Sequence, residues 1–370
     1  APPCAPEPVW TGSGGPTEAR CNGADKAPVD LLSSVPHCGR CGHACPADLG
    51  CADGRCGVGT WTRTGGGADY RVAGVRGETV YTTVTAGAYV YFAPATQGAP
   101  PREVVSSLTS GYTMGAVVVD PEWVYARDPV RLVRFPRSVE LATATVSPSQ
   151  LGSYEYSQSA ELTGLGDDLL LVGPNRSGVF RTGKAGDGGL TSFLSESAAY
   201  TTAADGTGAA YVLSVPRRTL NLADAGPGSA RRVETSGNVD SIAASLAYPM
   251  GMTTAGEDVL LMDRDRGILR CTRAGNCTEL VAGPIDTGVP EEDGSLRFGR
   301  VRADATHVYW MDYKASITAQ PYRIMKRALC GGESVDITPP ALGTRFPTSF
   351  QITDSRVYFA SNLGVQWFGK

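Results

Sequence analysis

The sequence predicts an all-β fold built from repeats of about 45 residues, preceded by a small disulfide-rich module. Seven of its ten cysteines fall within the first 56 residues, and 46 glycines with 25 prolines make a chain that turns often. After that segment, short apolar runs bounded by polar turns recur at nearly constant spacing. A period of about 45 residues with several strands per unit is typical of β-propeller blades. We therefore expect a seven-bladed β-propeller, with six blades as the fallback.

The N-terminal module, residues 1–60, contains six closely spaced cysteines that can form three disulfides among themselves. So short a segment cannot bury enough apolar surface to hold itself together, which favours disulfides. The stretch HCGRCGHAC (37–45) also contains a C-x2-C and two histidines, so a zinc site is the alternative. Disulfides are preferred because a structural zinc site usually draws on two paired clusters. The six cysteines are Cys21, Cys38, Cys41, Cys45, Cys51 and Cys56.

The other four cysteines predict two further disulfides. Cys271 and Cys277 bracket TRAGN, a plausible hairpin turn, and could bridge across it. That leaves Cys4 and Cys330, whose pairing would tie the N-terminal tail to the propeller. Disulfides are typical of exported proteins, and APPCAPEP reads like a mature N-terminus exposed after processing. We expect a secreted or outer-surface protein without a transmembrane segment, because no apolar run approaches about 18 residues.

The propeller, residues 61–370, is predicted from polar or glycine-bearing turns that each lead into four to six apolar or β-branched residues. In DATHVYWMDY (304–313), Asp304 is expected to start a tight turn, with Tyr309 and Trp310 buried between neighbouring blades. An alternating apolar and basic segment after the run predicts a more exposed third strand. The final run ends at Lys370 after only two or three strands, so the strand-like segment 68–84 is expected to complete the final blade. The runs start at Thr85, Val118, Leu165, Asp205, Ala255, Asp304 and Asp354.

Two parts of the chain resemble known families. VDLLSSVPHCGRCGHACPADLGCADGRC (29–56) resembles the Cys-rich knuckle of secreted and surface proteins of myxobacteria. The pattern D-x-x-x-V-Y-W followed by M-K-x-x-L-x-G-G is similar to uncharacterised propellers of the same bacteria, and EEDGSLRFGRVRAD (291–304) resembles the start of an NHL-type blade. These resemblances imply an exported bacterial propeller and no single activity. The second pattern is carried by Asp304, Val308, Tyr309, Trp310, Met325, Lys326, Leu329, Gly331 and Gly332.

Composition and motifs argue against several function classes. The 33 basic residues are scattered and the net charge is −4, so nucleic-acid binding is not expected. The chain has no nucleophile elbow, phosphate loop or metalloprotease helix. NHL-type hydrolases and lyases, by resemblance, use histidines and acids around the central channel. Only His307 is available in the propeller, and a turn position suits it better than catalysis.

The loops after the second strands carry the candidate ligand-binding residues. In a propeller these loops gather on one face, where polar and planar groups on a rigid scaffold suit sugars or peptides. In DRDRG (263–267), Asp263 and Asp265 alternate as in a calcium loop, with too few further ligands for a complete one. No other cofactor is expected. The candidates are Arg127, Asp128, Asn175, Arg176, Asp263, Asp265, Asp312, Tyr313 and Asn362.

Three functional hypotheses follow. The favoured one is a non-enzymatic recognition protein of the cell surface or secretome that binds a carbohydrate or protein ligand. The second is a metal-dependent propeller hydrolase or lyase in which acidic residues from several blades converge on the channel. The third is a structural envelope component, which a large exposed apolar patch on one face would favour.

Overall fold

The computed structural model describes most strands of the chain and several of its turns. The described residues are 18–19, 29–38, 44–46, 49–52, 55–61, 70–77, 79–84, 88–93, 102–108, 117–127, 131–140, 149–153, 162–172, 178–186, 189–195, 199–214, 227–285, 301–313, 322–338, 349–361 and 364–370.

The N-terminal module consists of short strands held by disulfides. It contains β1 (Glu18–Ala19), β2 (Val29–Asp30), a 3-10 helix (Val35–His37), β3 (Cys51–Ala52) and β4 (Arg55–Cys56), followed by β5 (Gly59–Trp61). Strands β1 and β2 pair, as do β3 and β4. The disulfides Cys38–Cys51 and Cys45–Cys56 confirm the disulfide interpretation for these four cysteines. Cys21 and Cys41 lie outside the described residues.

Six blades are formed by consecutive strands, four to a blade. Blade 1 contains β6 (Tyr70–Arg76), β7 (Thr79–Val84), β8 (Ala88–Ala93) and β9 (Arg102–Leu108); blade 2 contains β10 (Val117–Val119), β11 (Trp123–Arg127), β12 (Arg131–Pro136) and β13 (Ser149–Ser153); blade 3 contains β14 (Leu162–Leu165), β15 (Asp168–Val172), β16 (Val179–Gly183) and β17 (Thr191–Leu194). Blade 4 contains β18 (Ala199–Ala204), β19 (Ala209–Ser214), β20 (Gly228–Glu234) and β21 (Val239–Leu246); blade 5 contains β22 (Pro249–Ala255), β23 (Asp258–Asp263), β24 (Gly267–Cys271) and β25 (Cys277–Ala282); blade 6 contains β26 (Val301–Ala303), β27 (His307–Tyr313), β28 (Tyr322–Ala328) and β29 (Val335–Asp336).

A further four-stranded sheet, called here the closing blade, joins the two ends of the propeller. It consists of β30 (Ser349–Ile352), β31 (Arg356–Ser361) and β32 (Gly364–Gly369), with β5 as its outer strand. All pairings in these sheets are antiparallel, as β31 with β32 illustrates. The first strands contact one another in order around the ring, and β30 contacts β6. The predicted all-β propeller is therefore confirmed.

The position of the closing strand corrects the sequence prediction. Residues 68–84 were expected to complete the last blade, but β5 does so, with Val365 opposite Trp61 and Trp367 opposite Gly59. The strands within 68–84 are β6 and β7, the first two of blade 1. The run starting at Thr85 therefore supplies the third strand, β8, whereas the other runs form second strands. Closure by an N-terminal strand was right in principle and wrong in position.

The hydrophobic core lies between blades, because each sheet presents one face to the preceding blade and one to the next. Trp310 is 3% exposed and packs in a cluster with Leu260 and Met262 of blade 5. Its neighbour Tyr309 is 1% exposed and packs with Phe350 of the closing blade. Successive side chains of a strand point to opposite faces, so these two adjacent aromatics fill two different interfaces. The predicted interblade burial of both is confirmed.

The remaining cysteines are partly described. Cys271 and Cys277 form the predicted disulfide across the turn between β24 and β25. Cys330 is disulfide-bonded as well. Its predicted partner Cys4 lies outside the described residues, so that pairing stays a prediction. Within the part of the chain that is described, no helix has the length and apolar character needed to span a bilayer.

Candidate binding face

The loops that follow the second strands emerge on one face of the ring, called here the polar-loop face. In a four-stranded antiparallel blade, the connections from second to third strand and from fourth strand to the next blade leave from the same end. The predicted residues Arg127, Asp263, Asp265, Asp312 and Tyr313 are described at or next to the ends of second strands. The other four predicted residues, Asp128, Asn175, Arg176 and Asn362, lie outside the described residues.

Arg127 ties two blades together. Its side chain is buried, with 1% exposure, and Nη2 donates a hydrogen bond of 2.8 Å to the carbonyl oxygen of Val172 at the end of β15 in the next blade. A guanidinium buried to this degree is held by the protein around it. The structure therefore places Arg127 beneath the polar-loop face, with an interblade contact as its described role.

Asp263 organises the turn at the end of β23. Its carboxylate is fully buried, and Oδ2 accepts a hydrogen bond of 2.8 Å from the backbone N–H of Tyr248. Oδ1 accepts from the backbone N–H groups of Asp265 and Arg266, each at 3.1 Å. Three backbone donors account for this buried carboxylate without a metal ion. Calcium binding at Asp263 and Asp265 stays an untested prediction that these contacts do not favour.

The turn held by Asp263 contains an ion pair, Arg264–Asp265, that lies over the ring of Tyr248. The guanidinium of Arg264 lies over the ring of Tyr248, with Cζ 3.8 Å from the ring centroid. Nε of Arg264 donates a hydrogen bond of 3.0 Å to Oδ1 of Asp265. The two side chains are 42% and 51% exposed, so the pair is open to solvent while Tyr248 beneath it is buried. Stacking on the ring restricts the guanidinium to one plane.

Blade 6 carries a second group of polar and aromatic side chains, also at the end of its second strand. Asp312 is opposite Arg323 in the pairing of β27 with β28, and their side chains form a close ion pair. One residue further, Tyr313 is opposite Tyr322, with ring centroids 5.0 Å apart. Asp312 and Tyr313 were predicted site residues, and the structure gives each a cross-strand partner.

Sequence reasoning missed three members of these groups: Tyr248, Tyr322 and Arg323. Tyr248 directly precedes β22 and lies opposite Arg264, whose backbone N–H donates a hydrogen bond of 2.9 Å to the Tyr248 carbonyl. Tyr322 and Arg323 had a detectable signal, because the order Asp-Tyr at the end of β27 is matched by Tyr-Arg at the start of β28. In an antiparallel hairpin this arrangement places opposite charges, and the two rings, directly across from each other.

The opposite face, called here the turn face, carries the turns between first and second strands. Oδ1 of Asp304 accepts hydrogen bonds of 2.8 Å from the backbone N–H groups of Thr306 and His307, which forms the predicted tight turn. Oδ2 accepts from the Tyr309 hydroxyl at 2.9 Å and from Nζ of Lys370 in the closing blade at 2.7 Å. Burial raises the pKa of Asp304, but these donors outweigh it and hold the pKa well below its usual range.

The same arrangement joins blade 2 to blade 3. Asp120 accepts from the backbone N–H groups of Glu122 and Trp123, and Lys184 of blade 3 lies 3.6 Å from Oδ2. Burial raises the pKa of Asp120, but these amides and the Tyr125 hydroxyl outweigh it, so the pKa lies below its ordinary value. Burial, together with that hydrogen bond to Asp120, raises the pKa of Tyr125.

Blade 4 is joined to blade 5 by a third such group. Nη2 of Arg273 lies 3.5 Å from Oδ2 of Asp205 and donates a hydrogen bond of 2.6 Å to the Thr207 hydroxyl. Burial raises the pKa of Asp205, but the hydrogen bonds from Thr207 and the Ala209 amide and the charge of Arg273 outweigh it. Blades 2, 4 and 6 thus each hold a basic residue of the following blade through an acidic turn.

Blades 3 and 5 use a different turn. The residue after the first strand is a glycine with positive φ, Gly166 at 56° and Gly256 at 61°, where blades 2, 4 and 6 have an aspartate. Residues with a Cβ rarely adopt this conformation. The aspartate that starts the second strand then pairs within its own blade: Asp258 with Arg270 at 2.6 Å, and Asp168 with Arg181 at 3.8 Å. Two turn types therefore alternate from blade 2 to blade 6.

His307 lies in the turn that Asp304 starts. Its Nδ1 is 2.7 Å from the Thr306 hydroxyl in the turn, on the face opposite the predicted binding loops. Among the described residues, the one group of potential metal ligands is formed by Cys38, Cys45 and Cys56. All three sulfur atoms belong to disulfides and are therefore not thiolate ligands.

Comparison with known proteins identifies the fold without a family. The sequence matches no protein-family model, and no similar curated protein was found. Among solved structures, a catalytically inactive variant of virginiamycin B lyase from Staphylococcus aureus with quinupristin aligns with a TM-score of 0.59 at 12% identity, covering 85% of this chain and 99% of that one. The WD40 β-propeller domain of Doa1 aligns with a TM-score of 0.55 at 11% identity, over 84% and 96% of the two chains. YCF48 bound to D1 peptide gives 0.51 at 11% identity, over 84% and 97%. At such low identity, these similarities show a shared propeller fold.

Proposed function

We propose that this protein is an extracellular recognition protein that binds a carbohydrate or protein ligand on its polar-loop face. The observation that carries the proposal is the solvent-exposed pair Arg264–Asp265, with Arg264 stacked on Tyr248, on the blade next to the Tyr313–Tyr322 rings. Flat aromatic surfaces and pre-oriented charges suit the faces and hydroxyl groups of sugars, and the peptide groups of an extended chain.

The position of the module supports this orientation. Gly369, at the end of β32 on the turn-face side, is the part of the propeller next to the module residues Pro46 and Cys56. The contact of Pro46 and Cys56 with the propeller therefore lies on the turn-face side of the closing blade. We retain the division into residues 1–60 and 61–370 as part of the proposal, with the module as spacer, although β5 crosses this boundary.

The fold comparisons and the disulfides agree with the proposal. YCF48 was solved bound to a peptide, which gives one example of a propeller used for recognition. The disulfides support an oxidising, extracellular environment. The myxobacterial and NHL-type relationships stay part of the proposal. The lyase among the fold neighbours keeps a propeller enzyme as the alternative, and the described exposed large hydrophobics, Val35 and Val239, give no support to an apolar docking face.

The test is binding of the intact, oxidised protein to arrays of glycans and of peptides, with and without a calcium chelator. Arg264→Ala should weaken binding of any selected ligand about tenfold or more, because it removes the stacked guanidinium. Arg273→Ala, which removes the same side chain from the turn face, is the matched control and should bind like the native protein. Selective binding that Arg264→Ala and Tyr322→Ala both leave unchanged would contradict the assignment of this face.

A further inference from the structure

The ring is closed by a very short strand. β5 has three residues, which lie opposite Val365, Gln366 and Trp367 of β32. One side-chain hydrogen bond reinforces this pairing, from Nε2 of Gln366 to the Thr60 hydroxyl at 3.2 Å. A three-residue strand at a sheet edge contributes few backbone hydrogen bonds and opens easily when nothing else holds it.

The Cys-rich module leads directly into this strand. Only two residues, Gly57 and Val58, separate Cys56 from the start of β5. Val58 packs against the hydrophobic cluster between blade 6 and the closing blade, which includes Phe350 and Phe368. The backbone N–H of Gly57 donates a hydrogen bond of 2.7 Å to the carbonyl of Gly50.

The contact between module and propeller is close at Gly369, the last residue of β32. A Cβ atom at this position would lie 3.0 Å from Sγ of Cys56, 3.1 Å from Cδ of Pro46 and 3.2 Å from Cβ of Cys56. Pro46 and Cys56 are held together because the disulfide Cys45–Cys56 joins their two segments. That disulfide therefore fixes the surface against which the end of β32 rests.

We propose that the module is a redox-dependent clasp for the propeller, in which Cys45–Cys56 holds β5 on the edge of β32. In the oxidised module, the disulfide restricts the residues that lead into β5. Release of β5 from β32 therefore breaks the contacts with the module as well as the backbone pairing. Exchange with a dithiol reductant converts Cys45–Cys56 into two thiols while the reductant becomes a disulfide, which balances two electrons and two protons. The opened ring then exposes the edge of β32, which can pair with another chain.

The experiment is hydrogen exchange of the full-length protein followed peptide by peptide. In the variant Cys45→Ala/Cys56→Ala, the amides of β5 and β32 should exchange about tenfold faster or more, while β23 of blade 5 keeps its native protection. Removal of the disulfide of blade 5, by Cys271→Ala/Cys277→Ala, is the control and should leave β5 protected. A folded Cys45→Ala/Cys56→Ala protein with native protection of β5 would overturn the proposal.

A second variant keeps the test decisive if the disulfide variant does not fold. Gly369→Ala leaves every cysteine in place but pushes a methyl group against Cys56 and Pro46. Its matched control is Gly50→Ala in the module itself, where an added Cβ meets no atom within 4 Å. Faster exchange in β5 for Gly369→Ala alone supports the clasp, and equal exchange in both variants refutes it.

Discussion

Replacing Asp304 by asparagine tests the electrostatic link between blade 6 and the closing blade. Asparagine retains an acceptor oxygen for the Thr306 and His307 amides, so the turn itself should form. The charge-assisted bond from Lys370 at 2.7 Å is lost, and the bond from Tyr309 weakens. The Asp304 and Lys370 side chains are 20% and 11% exposed, so solvent replaces little of this interaction.

The expected loss of unfolding free energy is about 2 kcal/mol, because hydrogen bonds to charged groups are worth roughly 1.5–3 kcal/mol each and Lys370 is left without its carboxylate. Urea unfolding of the native protein, Asp304→Asn, Lys370→Met and the double variant would give the coupling, expected at about 1–2 kcal/mol. Asp265→Asn is the control. Its pair with Arg264 is about half exposed and should change stability by less than about 0.5 kcal/mol.

The pH dependence of the unfolding free energy tests the Asp304–Lys370 contact independently. The folded pKa of Asp304 lies below its unfolded value of about 4, so its stabilising contribution is complete above that value. It is lost as the pH falls from there toward the folded pKa, when the native carboxylate takes up a proton. Asp304→Asn should therefore lose less stability between pH 5 and pH 3 than the native protein. Identical pH profiles and a coupling near zero would refute the reasoning.

Two further substitutions address packing and cross-linking. Trp310→Ala should cost about 3–5 kcal/mol by urea unfolding, because it empties an interface where Trp310 is 3% exposed; a cost below about 1 kcal/mol would mean that the interface collapses around the gap. Cys271→Ala/Cys277→Ala should lower stability by about 2 kcal/mol under oxidising conditions, from the short loop that the disulfide closes. Under reducing conditions the native protein lacks this disulfide too, so the variant and the native protein should have the same unfolding free energy. A persistent difference would point to lost packing of Cys271.

The sequence predicted the fold class well because most blades carry the same local signal. From blade 2 onward, an acidic or glycine-containing turn leads directly into an apolar second strand, as at Asp304. Blade 1 departs from this signal, since its second strand, β7, reads TVYTTV and is less apolar than the third strand, AYVYFA. The apolar pattern predicts the more apolar strand as the second, which shifts blade 1 by one strand and moves the expected closing strand into 68–84.

The candidate site was less predictable, since burial and partner choice depend on neighbouring blades. Arg127 and Asp263 look like exposed loop residues in the sequence, yet both are buried and hydrogen-bonded. Two contacts depend only on hairpin register and could have been read from the order of residues. One is the Asp312–Arg323 pair. The other is Tyr248 with Arg264, which lie opposite each other one position beyond the Pro249–Asp263 pair of β22 and β23.

The alternation of turn types sets the unit in which this propeller can be lengthened or shortened. A blade with an acidic turn needs a basic residue from its successor, as Asp120 needs Lys184 and Asp205 needs Arg273. Deleting one blade would therefore bring two turns of one kind together and leave a charge without its counterpart. Removing or duplicating a pair, such as blades 4 and 5 together, would preserve every match. Shuffling experiments on this scaffold should accordingly exchange blades two at a time.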